Sequence, residues 1–271
     1  MKLVDCFMYF DEDMLLDVRL HTLDAYVDKF VISESAEDHS GKKKKLNFNI
    51  NNFPKFKDKI SYIVVEKLPK NISFFKKNWS PDWVRENFHR NSLAEGYKNL
   101  SDNDLIMISD LDEIPNPKKI SEFQKNQKYA CFMQKNFQQK INLLNTSQQY
   151  WAGTKICQKK YLKSPQWLRD IKTKKRPFWK FFREKEPQLI NNGGWHFSFL
   201  KTPQTIKKKI QSYAHQEFNK EKFTDIRLIE ERIKNKLDLF DRNFQYNVVD
   251  LDETFPEYIT KNKEKFKNWI L

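Results

Sequence analysis

Strand-like and helix-like segments alternate along the first 110 residues, and this order limits the folds that the chain can adopt. Four short apolar runs are typical of buried strands: Leu3–Phe10, Phe30–Ser33, Ile60–Val65 and Leu105–Ile108. Apolar residues at helical spacing predict helices over Asp13–Val27 and Trp83–Leu100. Ser80 and Pro81 suit the N-cap and the first position of the second helix. The β-α-β-β-α-β order predicts an α/β fold with a mostly parallel, doubly wound sheet.

The residues after 117 have less regular patterns. They comprise two strand patterns that suit antiparallel pairing and two helices: Tyr129–Lys140, Gln148–Tyr161, Thr202 to about Phe218, and Asp225–Phe240. We therefore expect a single domain over residues 1–271, in which a smaller antiparallel part and C-terminal helices follow the parallel strands.

Two aspartates, Asp110 and Asp112, follow the fourth apolar run in the segment ISDLDEIP. Because strand side chains alternate between faces, we expect both carboxylates to point the same way. Two carboxylates about 5–6 Å apart repel by roughly 3 kcal/mol at an effective dielectric constant near 20, which favours a bound cation. Oxygen ligands at the end of a strand, where doubly wound sheets bind ligands, suit Mn²⁺ or Mg²⁺.

Composition excludes several classes of protein. The chain has only five glycines and contains neither GxGxxG nor GxxxxGK[ST], which excludes the usual dinucleotide-binding and P-loop motifs. The cysteines Cys6, Cys131 and Cys157 form no CxxC pair and are expected to be free thiols in a reducing compartment. Since no stretch approaches the ~20 apolar residues of a membrane span, we expect a cytoplasmic protein.

The net charge of +14 is compatible with a solvated basic surface or with an anionic partner. Peripheral contact with the anionic inner face of a membrane is one such interpretation. A non-catalytic nucleic-acid-binding protein is an alternative, but no nucleic acid is expected because carboxylates at the strand ends would repel phosphates. A haloacid-dehalogenase-like phosphohydrolase is another alternative, although Ile114 stands where that class expects Thr or Val.

Several segments in this order resemble glycosyltransferase family 17: DCFMYFDE, FVISES, HSGKKK, WVRENFHRNSL, ISDLDEIP, GGWHFSF and KKIQSYAHQEF. The resemblance implies a GT-A-type fold and metal-dependent, inverting transfer of GlcNAc or a related sugar. The implied donor is a UDP-sugar, with UDP-GlcNAc favoured, and the acceptor is a hydroxyl of a glycan or lipid-linked saccharide. Residues 1–117 would bind the nucleotide sugar and residues 118–271 the acceptor.

The resemblance also suggests roles for residues near the metal. Asp110 and Asp112 would hold the ion that bridges the donor diphosphate, to which Asp110 would also be close. Arg90 would bind the diphosphate, unless it only pairs with Glu86 four residues earlier. His196 would be a metal or diphosphate ligand, although a histidine of the core is an equal alternative.

Asp11 and Glu34 follow the first two predicted strands and suit contacts with the ribose or base of the donor, with a helix cap as the alternative for Asp11. The sequence does not single out one residue as the catalytic base. Its candidates are Glu217, Asp170 and Glu186. Glu217 leads because the predicted helix places it on one apolar stripe with Ile206, Ile210 and Tyr213, while His215 faces away. Aromatic side chains that could stack on acceptor sugars are Trp151, Trp167, Phe178 and Trp179.

Overall fold

A twisted sheet at the centre of the molecule carries the apolar runs of the sequence. The computed structural model describes residues 1–70, 80–124, 126–177, 179 and 182–271. Its strands are β1 (Leu3–Met8), β2 (Lys29–Ser35), β3 (Ile60–Val65), β4 (Leu105–Asp110), β5 (Glu113–Pro115), β6 (Tyr129–Gln138), β7 (Leu143–Asn145), β8 (Tyr150–Gln158), β9 (Gln188–Ile190), β10 (Gly194–Ser198) and β11 (Tyr246–Val248). Its α-helices are α1 (Asp13–Leu23), α2 (Pro81–Ser92), α3 (Pro165–Asp170), α4 (Pro203–Ser212), α5 (Glu221–Thr224), α6 (Ile226–Lys234), α7 (Glu257–Lys261) and α8 (Lys263–Phe266).

The described strands form a mixed sheet, so the expectation of a mostly parallel sheet is wrong for the molecule as a whole. The neighbours β3-β2-β1-β4 are all parallel, as predicted from the first half of the sequence. Beyond β4 the order continues β8-β6-β7-β11 with antiparallel pairing throughout. The short strands β9 and β10 pair parallel with β6, and β10 also pairs antiparallel with β5. The single α/β domain is confirmed, and its antiparallel part is as large as its parallel part.

Alternating strand residues supply two apolar cores, one on each face of the sheet. Phe7 and Phe30 pack on one face with α1 and with the C-terminal helices α7 and α8. Cys6 and Val31 pack on the other face with the 3₁₀ turn after α2 and with α3. A third cluster, centred on Ile206, joins α4 to α5 and α6. The sheet is therefore covered on both faces, and its strand ends remain as the place for a site.

Capping residues set the beginnings of the helices. The Ser80 and Thr202 side chains accept hydrogen bonds from the backbone N–H groups of Trp83 and Thr205, and Pro81 and Pro203 lie in the first turns. For Ser80 and Pro81 this is the capping predicted from the sequence. The predicted helix ends were too late. The α2 helix ends at Ser92 and continues as a 3₁₀ helix over Leu93–Gly96.

The α4 helix ends at Ser212, because the backbone of Tyr213 is extended, and α6 ends at Lys234. Glu217 therefore lies in the short 3₁₀ helix Gln216–Phe218, outside the apolar stripe to which the sequence assigned it.

The three cysteines are buried and free, which confirms the expectation of free thiols. Within the ranges that the structure describes, no helix is both long enough and apolar enough to span a bilayer.

Candidate active site

A cavity of about 410 Å³ opens at the carboxyl ends of the parallel strands, between α2 and α4. We call it the strand-end cavity. Four of the predicted site residues line it, namely Arg90, Asp110, Asp112 and His196. Doubly wound sheets bind ligands at this edge because consecutive crossovers leave a crevice there. The cavity is therefore the candidate active site.

A buried arginine holds the turn that joins β4 to β5. Arg19 of α1 and Asp5 of β1 are both fully buried and form two hydrogen bonds of 2.6 and 2.7 Å. The Nη1 atom of Arg19 donates to the carbonyl oxygens of Asp110, Leu111 and Glu113 at 3.1, 3.1 and 2.9 Å. A residue from the first helix thus fixes the backbone of the aspartate segment from beneath.

Asp110 lies between two guanidinium groups. Its Oδ1 atom is 3.0 Å from Nη2 of Arg90, and its Oδ2 atom is 3.1 Å from Nη2 of Arg169. Burial would raise the pKa of Asp110, but Arg169 and Arg90 outweigh burial and hold this pKa well below its usual range. Arg90 also pairs with Glu86 at 2.6 Å, which is the alternative given for it above, whereas its contact with Asp110 was not expected.

Glu113 is a buried partner of Arg169 that the sequence analysis missed. It is fully buried and accepts from Nη1 and Nη2 of Arg169 at 2.7 and 2.9 Å, and from Nε1 of Trp151 at 2.7 Å. The backbone N–H of Asp110 donates to it at 3.1 Å. Residues 111 and 112 form a turn, so strand alternation does not extend from Asp110 to Asp112 as expected. The two aspartates line one cavity but have different partners.

Asp112 has one lysine and one histidine beside it. Its Oδ2 atom is 3.3 Å from Nζ of Lys209, which α4 carries. Its Oδ1 atom is 3.8 Å from Nε2 of His196. Burial lowers the pKa of Lys209, but Asp112 and Glu12 outweigh it and raise this pKa to about 12. Lys209 is therefore a permanent cation in the strand-end cavity.

Hydrogen bonds set the orientation of His196. Nδ2 of Asn136 donates to the carbonyl oxygen of Gln148 at 3.1 Å, so its Oδ1 is the acceptor that faces Nδ1 of His196 at 3.1 Å. The neutral imidazole then carries its hydrogen on Nδ1 and presents the lone pair of Nε2 to Asp112. The Trp151 ring stacks on the imidazole with centroids 4.7 Å apart.

The separation of 3.8 Å between His196 Nε2 and Asp112 Oδ1 is too long for a hydrogen bond and leaves room for a shared ion at about 2.0–2.2 Å from each atom. Among the described residues, no group of three or more His, Cys, Asp and Glu side chains is arranged to hold a metal. The donor set therefore fits Mn²⁺ or Mg²⁺ only if water and substrate oxygens complete the shell, as is usual for Mg²⁺.

Comparison with known proteins decides the family. Residues 1–269 match the model of glycosyltransferase family 17. The chain belongs to glycosyltransferase family 17. It is similar to the beta-1,4-mannosyl-glycoprotein 4-beta-N-acetylglucosaminyltransferase of Rattus norvegicus, with 24% identity over 285 aligned residues. The match covers 93% of this chain and 51% of the rat protein, so the chain spans about half the length of that relative. The family and the enzyme class expected from the sequence segments are confirmed.

The other two donor-binding candidates of this family 17 chain lie outside the lining of the strand-end cavity. Asp11 is paired with Lys201, and Lys208 is 3.6 Å away. Glu34 is fully buried, and its oxygens accept from Lys44, from two backbone N–H groups and from Tyr62. The Glu34 carboxylate is thus occupied by the fold, and the roles expected of both residues stay predictions.

None of the three predicted bases of this family 17 chain lines the cavity. Asp170 is exposed and accepts from Nε2 of Gln166 at 2.9 Å, whereas exposed Glu186 accepts from a backbone N–H at 3.4 Å. Glu217 is also exposed, but its Oε1 atom lies 2.8 Å from Nδ1 of His215, which does line the cavity. Because α4 ends at Ser212, the helical projection that turned His215 away from the apolar stripe does not apply to it.

Of the aromatic side chains predicted to stack on acceptor sugars, only some lie at the site. Trp151 lines the cavity. Trp167 packs instead against Tyr129, with ring centroids 5.9 Å apart, and the side chain of Trp179 lies on the surface with 61% exposed. Phe178 falls outside the described residues. Four further aromatic residues, which the sequence analysis did not propose as sugar contacts, line the cavity: Phe199, Tyr213, Phe218 and Phe240.

Proposed function

We propose that this chain has a GT-A-type fold and transfers GlcNAc or a related sugar from a UDP-sugar, with UDP-GlcNAc favoured, to a hydroxyl of a glycan or lipid-linked saccharide. Transfer would invert the anomeric carbon. The facing pair Asp112 and His196, in a cavity that arginine and lysine side chains surround, is the observation that carries the proposal. The name of the rat relative supports GlcNAc as the sugar.

Asp112 and His196 would hold Mn²⁺ or Mg²⁺. When bound, such an ion supplies Lewis-acid stabilisation of the departing nucleoside diphosphate. His196 suits this role because Asn136 fixes its tautomer and leaves the lone pair of Nε2 available to bind a metal ion. Asp110 differs, since an arginine already meets each of its oxygens. A direct bond from Asp110 to the ion stays a prediction.

Cations in the cavity suit a diphosphate. Lys209 stays charged beside Asp112, and we propose that it donates to phosphate oxygens. Arg90 has a guanidinium that Asp110 and Glu86 position, and its Nε atom is buried with no hydrogen-bond partner among the described residues. We propose that Asp110 orients Arg90 toward the diphosphate. Residues 1–117 would then hold the donor and residues 118–271 the acceptor, with the diphosphate at their boundary.

The acceptor hydroxyl needs a group that takes its proton as it attacks the anomeric carbon. We propose His215 as that base, oriented by Glu217. The aromatic side chains Tyr213 and Phe218 beside it offer flat apolar surfaces on which a sugar ring can stack. The other two predicted bases, Asp170 and Glu186, do not line the cavity.

We also propose a cytoplasmic location with peripheral contact at an anionic membrane face, which the net charge of +14 supports. Sedimentation with vesicles tests this. Salt-sensitive binding to phosphatidylserine vesicles and no binding to phosphatidylcholine vesicles is the expected result.

The main test combines thermal shift and turnover. We expect UDP and UDP-GlcNAc to raise the melting temperature with Mn²⁺ and to lose this effect with EDTA, and we expect UDP release when a mannose-containing glycan is added. Asp112→Asn should abolish the metal-dependent shift, whereas the exposed control Asp58→Asn should keep it. Phosphate release from simple phosphate esters without a nucleotide sugar would favour the phosphohydrolase alternative. RNA binding that persists in Asp110→Ala/Asp112→Ala, without turnover, would favour the nucleic-acid alternative.

A further inference from the structure

Two histidines on the wall of the strand-end cavity are joined to each other. His89 lies on α2, one residue before Arg90, and His39 lies in the loop after β2. Nε2 of His39 is 3.2 Å from Nδ1 of His89. Nε2 of His89 is 3.2 Å from the carbonyl oxygen of Ser33 at the end of β2. No role described above uses this pair.

The Ser33 carbonyl determines where both rings carry their hydrogens. A carbonyl oxygen only accepts, so Nε2 of His89 must be the N–H that donates to it. Nδ1 of neutral His89 is then an acceptor and receives the Nε2–H of His39. His39 is left with a lone pair on Nδ1, to which none of the residues described in the structure donates. The pair thus presents a hydrogen-bond acceptor of fixed tautomer at the cavity wall.

Burial favours the neutral state that this tautomer requires. It lowers the pKa of His39, with a smaller opposing effect from Glu86, and it lowers the pKa of His89 further, with a contribution from His39. Both imidazoles are therefore neutral at neutral pH.

The loop that carries His39 is held in place from two sides. Nη1 of Arg85 donates to the carbonyl oxygen of His39 at 3.1 Å. Backbone hydrogen bonds of 2.8 and 2.9 Å join Asp38 to Lys42 and Gly41. Gly41 has a φ of +89°, where a side chain would be strained, and an added Cβ would lie 3.0 Å from the Arg85 guanidinium. The acceptor nitrogen is therefore preorganised rather than free to turn away.

The position of the pair indicates which part of a donor it meets. Strands β2 and β4 lie on either side of β1, so their ends are about 10 Å apart at the usual spacing of neighbouring strands. Asp112 follows β4, whereas His39 follows β2. The anomeric carbon lies next to the diphosphate, so a group in the loop after β2 suits the nucleoside end of the donor better than the reacting end.

We propose that Nδ1 of His39 accepts the ring N3–H of uracil and so selects a uridine donor over a cytidine donor. Cytosine has a lone pair at N3 and would place two acceptors face to face. The inference rests on the proposed function, because it assigns the base contact of the same nucleotide-sugar site. His89 is then a positioning residue, since it acts through His39.

The test is the binding of UDP, CDP and 3-methyluridine diphosphate, each with Mn²⁺, by isothermal titration calorimetry. We expect the unaltered protein to bind UDP about tenfold more tightly than either of the other two. His39→Ala should bring the UDP to CDP ratio close to one, mainly by weakening UDP. His89→Ala should lower the ratio severalfold. The control His21→Ala, on a ring that stacks on Tyr258 outside the cavity lining, should keep it.

The comparison of UDP with its 3-methyl derivative needs no variant, so misfolding of a histidine variant leaves the test intact. Equal binding of these two nucleotides, or an unchanged ratio in His39→Ala, overturns this inference and leaves the proposed function in place. Absence of binding by all three nucleotides overturns the proposed function and this inference with it. Tighter binding of CDP than of UDP also overturns the inference.

Discussion

Asp110 and Asp112 are two residues apart, yet they lie in regions of opposite character. Around Asp110 every charged group has a partner: Arg90 and Arg169 each contact one of its oxygens, and Arg169 also pairs with buried Glu113. Around Asp112 the pairing is incomplete: Lys209 is 3.3 Å from one oxygen, and His196 is 3.8 Å from the other, too far for a hydrogen bond. We call these the closed side and the open side of the turn.

This difference shows that the groups around a carboxylate, and not the residue type alone, determine whether it serves stability or ligand binding. On the closed side, Arg90, Arg169 and Glu113 are largely buried and each has a partner of opposite charge, so breaking a pair leaves an unpaired charge with little access to water. On the open side, a carboxylate with one lysine partner keeps capacity for a ligand. We therefore expect variants of the closed side to affect stability first, and variants of the open side to affect binding and rate first.

The largest effect is expected for Arg19→Met, beneath the closed side. The substitution leaves Asp5 buried without a partner and removes the donor to the carbonyl groups of the turn. The free energy of unfolding should fall by about 3–5 kcal/mol, as measured by urea denaturation. Exposed Arg227→Met, which breaks only a surface pair with Asp225, should cost less than about 1 kcal/mol.

The double variant Asp5→Val/Arg19→Met separates the two contributions of Arg19. It removes the unpaired charge and should recover part of the lost stability, while the deficit that remains measures the support of the turn. If the free energy of unfolding of Arg19→Met is within 1 kcal/mol of that of the unaltered protein, the buried pair does not support the turn as described.

Local signals for this support exist in the sequence, but they do not reveal its geometry. Asp5 interrupts an apolar strand, and Arg19 lies among the leucines of the apolar face of α1. Two opposite charges in apolar segments suggest a buried pair. Nothing local shows that the same guanidinium also reaches the turn after β4, because that contact joins residues more than 90 positions apart.

The same holds for other parts of the fold and site: features set by local sequence could be predicted, and features set by distant contacts could not. The bounds of β3, Ile60–Val65, match the prediction because a short apolar run defines them. The pairing of β5, β9 and β10 could not be predicted, since non-local partners of three to five residues leave little periodic signal. The end of α4 was also missed, because no Gly or Pro follows Ser212 within the segment that stops it. That error misplaced Glu217 and concealed His215.

Asp112→Asn on the open side should lower kcat/KM by about 100-fold or more, because it removes a proposed ion ligand and the charge that faces Lys209. The free energy of unfolding without metal should change by less than about 1 kcal/mol. Sugar transfer assays at saturating Mn²⁺, together with urea denaturation in EDTA, measure both quantities. A large loss of stability in EDTA would show that Asp112 belongs with the closed side.

The open side also contains one carboxylate on which stability should depend. Burial raises the pKa of Glu12, but Lys201 and Lys209 outweigh it and bring this pKa down to about 2 from the usual 4.5. Because the folded protein holds the proton less tightly than the unfolded chain, this group stabilises the fold above about pH 5 and loses that contribution as the pH falls toward 2. Between pH 6 and pH 2.5 this loss should amount to about 2.5 kcal/mol.

Glu12→Gln measures this contribution by difference. The unaltered protein should exceed the variant in free energy of unfolding at pH 6, and most of this difference should be gone at pH 2.5. The exposed variant Glu264→Gln should show no such convergence, since its pair with Lys267 is a surface contact of 3.7 Å. A constant difference between Glu12→Gln and the unaltered protein across this range would mean that packing, not charge, accounts for the role of Glu12.

The smallest effect is expected for Glu217→Gln, at the rim of the open side. The amide keeps the size of the side chain and a contact with Nδ1 of His215, but it removes the charge that would stabilise the imidazole once it has taken a proton. We expect kcat to fall about tenfold with an unchanged KM for UDP-GlcNAc, because the donor contacts lie elsewhere in the cavity. Glu217→Asp should recover part of kcat, and Glu264→Gln should have no effect. If Glu217→Gln retains full kcat while Asp112→Asn is inactive, proton removal does not depend on this pair, and the base must be sought among the other groups that line the cavity.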